Sequence, residues 1–178
     1  MCSGMPLSAA DIQKAFSALS NEFVLRNQRA HLVVVGGAAI VLLFQARDST
    51  KDVDAVFVRP EAARVREAAA RVAAELQLPN DWLNDGAKGY LVGISTGKVL
   101  YESNSLIVHA ASTEQLLAMK LAAWRDAVDR ADAAVLLSEL VSSKDESWAA
   151  VAPYVPRHDL DKASYAFDDL WELLHGPE

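Results

Sequence analysis

Apolar positions along the chain change period several times, and each change marks an element. Ser8 opens a helical pattern, Asp11 stands at the capping-box position three residues on, and Ile12, Phe16, Leu19 and Phe23 follow at helical spacing, predicting a helix to about Arg29. Residues 31–35 are a short continuous apolar run that ends in Gly36-Gly37, the pattern of a buried strand entering a turn. Residues 38–46 are apolar all round and read as a short buried helix. Residues 53–58 are β-branched and bounded, a second strand, after which Pro60 takes the first position of an alanine- and arginine-rich helix reaching about Gln77. Residues 78–86, Leu-Pro-Asn-Asp-Trp-Leu-Asn-Asp-Gly, are turn-rich. Two further strands are expected over 98–102 and 106–109, joined at Ser103-Asn104-Ser105. From Ser112 everything reads helical: Ser112 and Gln115 repeat the capping-box pattern ahead of a helix over 116–124, Asp129 begins another to about Leu140, and one or two more lie between Trp148 and His175, interrupted by Pro153 and Pro156.

The order helix, strand, helix, strand, helix, two strands, then helices predicts an α+β fold, a small mixed sheet flanked by helices with a C-terminal helical part. No repeat or low-complexity tract breaks the chain. Residues 1–110 are expected to form the core and 111–178 a helical region packed on it as one compact unit.

Composition narrows the class. With 178 residues, 52% hydrophobic and 23% charged, the chain has the make-up of an ordinary globular protein able to build a core without staples. Its single cysteine, Cys2, excludes an intramolecular disulfide and a cysteine zinc cluster, and fits a reducing compartment. No apolar run reaches the roughly 20 residues of a membrane span, and the N-terminal residues lack a basic and an apolar signal region, so a cytoplasmic, membrane-free protein is expected. The net charge of -7 excludes a broad basic nucleic-acid footprint. That charge is uneven: residues 1–80 hold nine Lys/Arg and eight Asp/Glu, whereas residues 81–178 hold eight and sixteen. The near-neutral first half is therefore where an RNA would approach.

Candidate chemistry lies between residues 36 and 54. Asp52-Val53-Asp54 on a strand puts two carboxylates on one face, about 6.5–7 Å apart along the chain, where hard oxygens can hold magnesium together with substrate phosphates. Gly36-Gly37 follows a buried strand and opens a helix, so backbone N–H groups can meet an anion closely. It is not a Walker loop, since no Gly-Lys-Ser/Thr follows, and Gly36-Gly37-Ala38-Ala39-Ile40-Val41 lacks the third glycine of a dinucleotide fingerprint. Scattered elsewhere are His31, His158 and His175, without metal-ligand spacing, four tryptophans of which Trp82 alone sits in a polar loop, and Arg59, Arg64, Arg66 and Arg71, which read as a solvated face.

The segment from Val34 through Gly36-Gly37 and on to Arg47-Asp48-Ser49-Thr50-Lys51-Asp52-Val53-Asp54 resembles the signature of the polymerase-β-like nucleotidyltransferase superfamily. The arginine and hydroxyl residues before the two aspartates are more narrowly similar to its AbiEii and MenT toxin branch. Residues 78–85 and the stretch Leu117 to Arg125 with Asp129 and Asp132 resemble further motifs of that branch, so the likeness covers roughly residues 31–140. It implies that Asp52 and Asp54 bind Mg2+ or Mn2+, and that Gly36 and Gly37 with Arg47 and the hydroxyl of Ser49 or Thr50 hold the triphosphate. Lys120 would reach the phosphates, with Arg125 assisting or ordering the nearby acids. It implies transfer of a nucleoside monophosphate from a triphosphate to an acceptor, RNA or the 3′ end of tRNA, with a cognate antitoxin as partner; a partner protein is the variant acceptor. Many such enzymes carry a third carboxylate on a later strand, and residues 106–109 hold none. Asp132 or Asp129 is the substitute by analogy, unless the base is dispensable or the chain is a catalytically idle nucleotide-binding or protein-interaction module.

Overall fold

The longer elements of the computed structural model, which describes residues 6–177, follow the predicted order, with three two-residue strands added to it. Cys2 and the other residues before Pro6 lie outside the described part. The chain divides into two compact units: one runs to Gly89 and resumes over Thr96–Ala111, the other comprises Tyr90–Ser95 and the chain from Ser112 onward. Among the described residues no helix is long and apolar enough to cross a membrane.

In the first unit, β1 (Leu7–Ser8) leads into α1 (Ala9–Leu25) through the predicted box: Ser8 Oγ accepts from the Asp11 N–H at 3.2 Å and the Asp11 carboxylate accepts from the Ser8 N–H at 2.9 Å. The helix stops four residues before Arg29, because Asn27 turns left-handed (φ 50°) and the Gln28 N–H closes back on Phe23 O at 2.9 Å. Next come β2 (Ala30–Val35), α2 (Gly36–Phe44), β3 (Ser49–Thr50), β4 (Val53–Arg59) and α3 (Ala62–Leu76). Pro60 does not open α3; Glu61 occupies the N-cap position, two residues into the turn. The loop over 78–86 contains a strand the turn chemistry concealed, β5 (Leu83–Asn84), and the unit closes with β6 (Val99–Glu102) and β7 (Leu106–Ala110).

Five strands form one mixed sheet in the order β5-β4-β2-β7-β6, with β2 antiparallel to β4 and parallel to β7. Side chains alternate across it. Leu32, Val34, Ala55, Val108 and Ala110 share one face in register, where Tyr101, the partner of Val108, meets Phe16 of α1 with ring centroids 6.0 Å apart. On the other face His31, Val33 and Val35 align with Ile107 and His109 on one side and with Val56 and Asp54 on the other. Trp82 is fully buried, and its indole N–H donates to Ala69 O of α3 at 3.0 Å, which pins the start of β5. The polar loop position is thus a core position.

The second unit is helical: α4 (Thr113–Ala123), α5 (Ala127–Ser138), α6 (Lys144–Val151) and α7 (Leu160–His175), around Leu117, Leu121, Leu136, Val151 and Phe167. Ser112 caps α4 as predicted, but Gln115 does not complete a box. Its buried amide turns instead to Ser95, accepting from the Ser95 N–H at 2.8 Å, and donates to Gly93 O at 3.1 Å. The N-cap of α5 is Asp126, three residues before the expected start at Asp129, with its carboxylate accepting from the Val128 and Asp129 N–H groups.

Candidate functional site

Two apolar strands and one short helix set the geometry of the first cluster. β2 is buried along most of its length and delivers the chain to Gly36, whose φ of +65° is open to glycine without strain. α2 begins there with Val35 at the N-cap, whose side chain makes no capping hydrogen bond to the first N–H groups. Antiparallel pairing places Asp54 opposite Val35, and a Cβ on Gly36 would stand 3.5 Å from the Asp54 carboxylate. A Cβ on Gly37 would stand 3.0 Å from both the Arg47 guanidinium and Thr50 Oγ1. Glycine at 37 therefore leaves room for a guanidinium and a hydroxyl to converge on the helix start. Of the two hydroxyl candidates, Thr50 is the one beside Gly37; Ser49 contributes its carbonyl, which accepts from Arg47 Nε at 3.3 Å.

Asp52 sits one residue ahead of β4 and Asp54 is its second residue, both half-buried. Burial pushes the Asp52 carboxyl above the usual carboxylate range, opposed by Lys51, reinforced by Asp81 and opposed again by the Asn84 amide. Asp54 is raised first by burial and then by the charge of Asp52, with Asn84 opposing. Asn84 was missed as a site residue. It lies in register with Asp54 on β5, its Oδ1 accepts from the Gly86 N–H at 3.0 Å, and its Nδ2 is thereby turned to donate to Asp52 Oδ2 at 3.3 Å. Only the tandem Asn-Asp-Trp-Leu-Asn-Asp spacing hinted at it, and a two-residue strand has no period to detect.

Two half-buried carboxylates, both raised by burial and Asp54 further raised by the charge of Asp52, are disposed to take up a cation. Hard oxygen donors in that state fit a divalent cation of the magnesium class, which takes few protein ligands and fills its sphere with water and phosphate. Among the described residues no group of three or more His, Cys, Asp and Glu forms a closed metal cage, so the fit is to that open kind of site. Strand β7 carries no acid, and just past it Ala111 donates its N–H to Val34 O at 2.9 Å.

A second cluster forms within the helical unit. Lys120 of α4 is 12% exposed and its ammonium lies 3.0 Å from Asp129 and 2.8 Å from Asp132 of α5, both carboxylates being buried. Arg125 adds its Nε and its backbone N–H to Asp129. Burial alone would raise Asp129, but the hydrogen bonds from Arg125 and Lys120 hold it below the usual range. Lys120, Arg125, Asp129 and Asp132 are thus brought together in one network that ties α4 to α5. Of the arginines on the α3 segment, Arg64 pairs with Glu61, Arg66 with Asp85 and Arg71 with Glu22, so these charges are already engaged within the unit.

The architecture is a small mixed sheet with helices, carrying a glycine turn and an aspartate pair on adjoining strands. A family model described as a nucleotidyltransferase of unknown function (DUF6036) matches residues 12–145, and the chain belongs to that family. No curated protein and no solved structure matches it.

Proposed function

We propose that the chain is a magnesium-dependent nucleotidyltransferase that moves a nucleoside monophosphate from a nucleoside triphosphate to a hydroxyl acceptor. The observation that carries this reading is the Asp54 carboxylate beside the Gly36 turn, with Arg47 and Thr50 beside Gly37 and Asp52 two residues before Asp54 on the same strand segment. A triphosphate brings about four negative charges, which N–H groups at the head of α2 and the Arg47 guanidinium are suited to meet. Asp52 and Asp54 would hold the cation, which when bound neutralises phosphate charge and orients the α-phosphoryl group. The acceptor oxygen bonds to the α-phosphorus, the bond to the bridging oxygen breaks, pyrophosphate leaves, and the hydroxyl proton is released to water. Asn84 orients Asp52. Preorganised positioning and charge supply most of the rate in such displacements.

The AbiEii and MenT resemblance extends the proposal to an RNA acceptor, the 3′ end of tRNA, to growth inhibition, and to a cognate antitoxin as partner. Label from each of four α-labelled triphosphates, incubated with Mg2+ or Mn2+ and total tRNA, should appear in RNA with the native chain and vanish with Asp52→Ala or Asp54→Ala. Triphosphate binding with no transfer to RNA or protein would instead favour an idle nucleotide-binding module, a reading to which the acid-free β7 lends support.

A further inference from the structure

Outside the aspartate site, two imidazoles face each other across adjacent strands. His31 is the second residue of β2 and His109 the next to last of β7; their side chains share a face, His31 Nε2 and His109 Nδ1 are 3.1 Å apart, and the rings meet edge-on with centroids 5.0 Å apart. The parallel ladder from Ala30–Leu106 to Val34–Ala110 fixes both backbones, so the separation is set by the sheet. The remaining histidines have other work: His158 contacts Asp159, and His175 stacks on Trp171.

We propose that His31 and His109 form a binding site for a borderline transition-metal ion of the zinc, cobalt or nickel class, held at the end of β2 remote from Asp54. Two imidazole nitrogens each about 2.0–2.1 Å from one ion, at tetrahedral or right angles, stand roughly 2.9–3.4 Å apart. The observed 3.1 Å falls inside that span. In the metal-free pair one ring nitrogen carries the proton and the other accepts it; moving that proton to the far nitrogen of the donor ring presents two lone pairs without loss of a proton from the protein. Burial, then His109, then Arg59, pushes His31 below the ordinary histidine range, so the neutral ligand form predominates at neutral pH. Val33, register partner of His109, is buried and gives the pair an apolar flank, while Arg59, register partner of His31, and Glu102, register partner of Ile107, are the charged neighbours along the strands. Among the described residues no third His, Cys, Asp or Glu completes a cage, so water fills the open positions. Imidazole selects this metal class against magnesium, which keeps the site chemically separate from the aspartate pair.

The test is a Zn2+ titration of the full chain without an affinity tag, following the ring nitrogens of its 4 histidines by NMR. His31 and His109 should shift together and saturate at one equivalent while His158 and His175 stay in place. His31→Gln or His109→Gln should weaken binding at least tenfold with the fold retained by circular dichroism, and an Asp52→Asn/Asp54→Asn chain should still bind through the histidines. Rings that do not respond to millimolar Zn2+, single variants that bind as tightly as the native chain, or binding lost only in the aspartate variant would each overturn the site.

Discussion

Gly37 shows how one absent Cβ organises a site. An alanine there would place its methyl 3.0 Å from both Arg47 and Thr50, so the guanidinium must move and the hydroxyl must give by a few tenths of an ångström. Gly37→Ala should leave the fold intact and weaken triphosphate binding by about tenfold, near 1.4 kcal/mol, measured by calorimetry. At Asp54 the stability sign is reversed from the usual carboxylate. Its raised pKa means that ionisation is harder folded than unfolded, so the carboxyl costs stability above that pKa and the cost disappears as pH falls below the unfolded value. Asp54→Asn should therefore raise neutral-pH stability by roughly 0.5–2 kcal/mol and abolish transfer, the trade expected of a strained functional group. A lower melting temperature for the variant at pH 7 would contradict a cost set by burial and by the charge of Asp52.

Single elements carry the next level of consequence. Trp82 joins α3 to β5 through a full-size buried ring and one hydrogen bond, so Trp82→Ala should cost about 3–5 kcal/mol by urea denaturation and release Asn84 from Asp52. Lys120 is bound to two buried acids, and its removal takes from both a cation that they share, leaving Asp129 to Arg125. Lys120→Ala should cost roughly 3–5 kcal/mol by urea denaturation, a loss of stability separate from any part Lys120 has in phosphate binding. Long elements were legible in the chain because their periods repeat: the Ser8-Asp11 box, the buried run into Gly36 and the β-branched strand after Asp52 all lie within a few residues of where pattern puts them. The unread elements are short or polar. β5 spans two residues among turn formers, and Gln115 has the right type and spacing for a capping box yet bonds Ser95, because its amide is buried where other partners are nearer. The aspartates and glycines were legible by motif; Asn84 was not, since its role depends on strand register rather than on spacing.

For the whole chain, acid stability combines opposite signs. Asp129, held low by Arg125 and Lys120, contributes stability that is present above the unfolded carboxylate pKa and is lost as pH falls through its lowered value. Asp52 and Asp54 lose their cost over the higher range between the unfolded pKa and their raised folded values. The Asp52→Asn/Asp54→Asn chain should therefore show a flatter melting-temperature profile from neutral pH down to the ordinary carboxylate range, with the steep acid loss unchanged below it. In the native chain alone, millimolar Mg2+ should raise the neutral-pH melting temperature, because a ligand of the folded state adds RT ln(1 + [L]/Kd). The acid surplus of the chain, counted by residue, sits mostly past residue 80, with nine acids against three bases over 139–178.

The pairing of Leu7 with Thr50 and Ser8 with Ser49 joins the start of the described chain to the segment that bears the candidate phosphate-binding hydroxyl. Only two residues on each side hold it, with Leu7 and Thr50 both buried. Closing a loop of that length costs entropy before any contact repays it, so this ladder should form late and open first. Amide hydrogens of Ser49 and Thr50 should exchange well before those of Val33–Val35, and a bound triphosphate should slow them. The nucleotide would then act as the last step of folding for its own site.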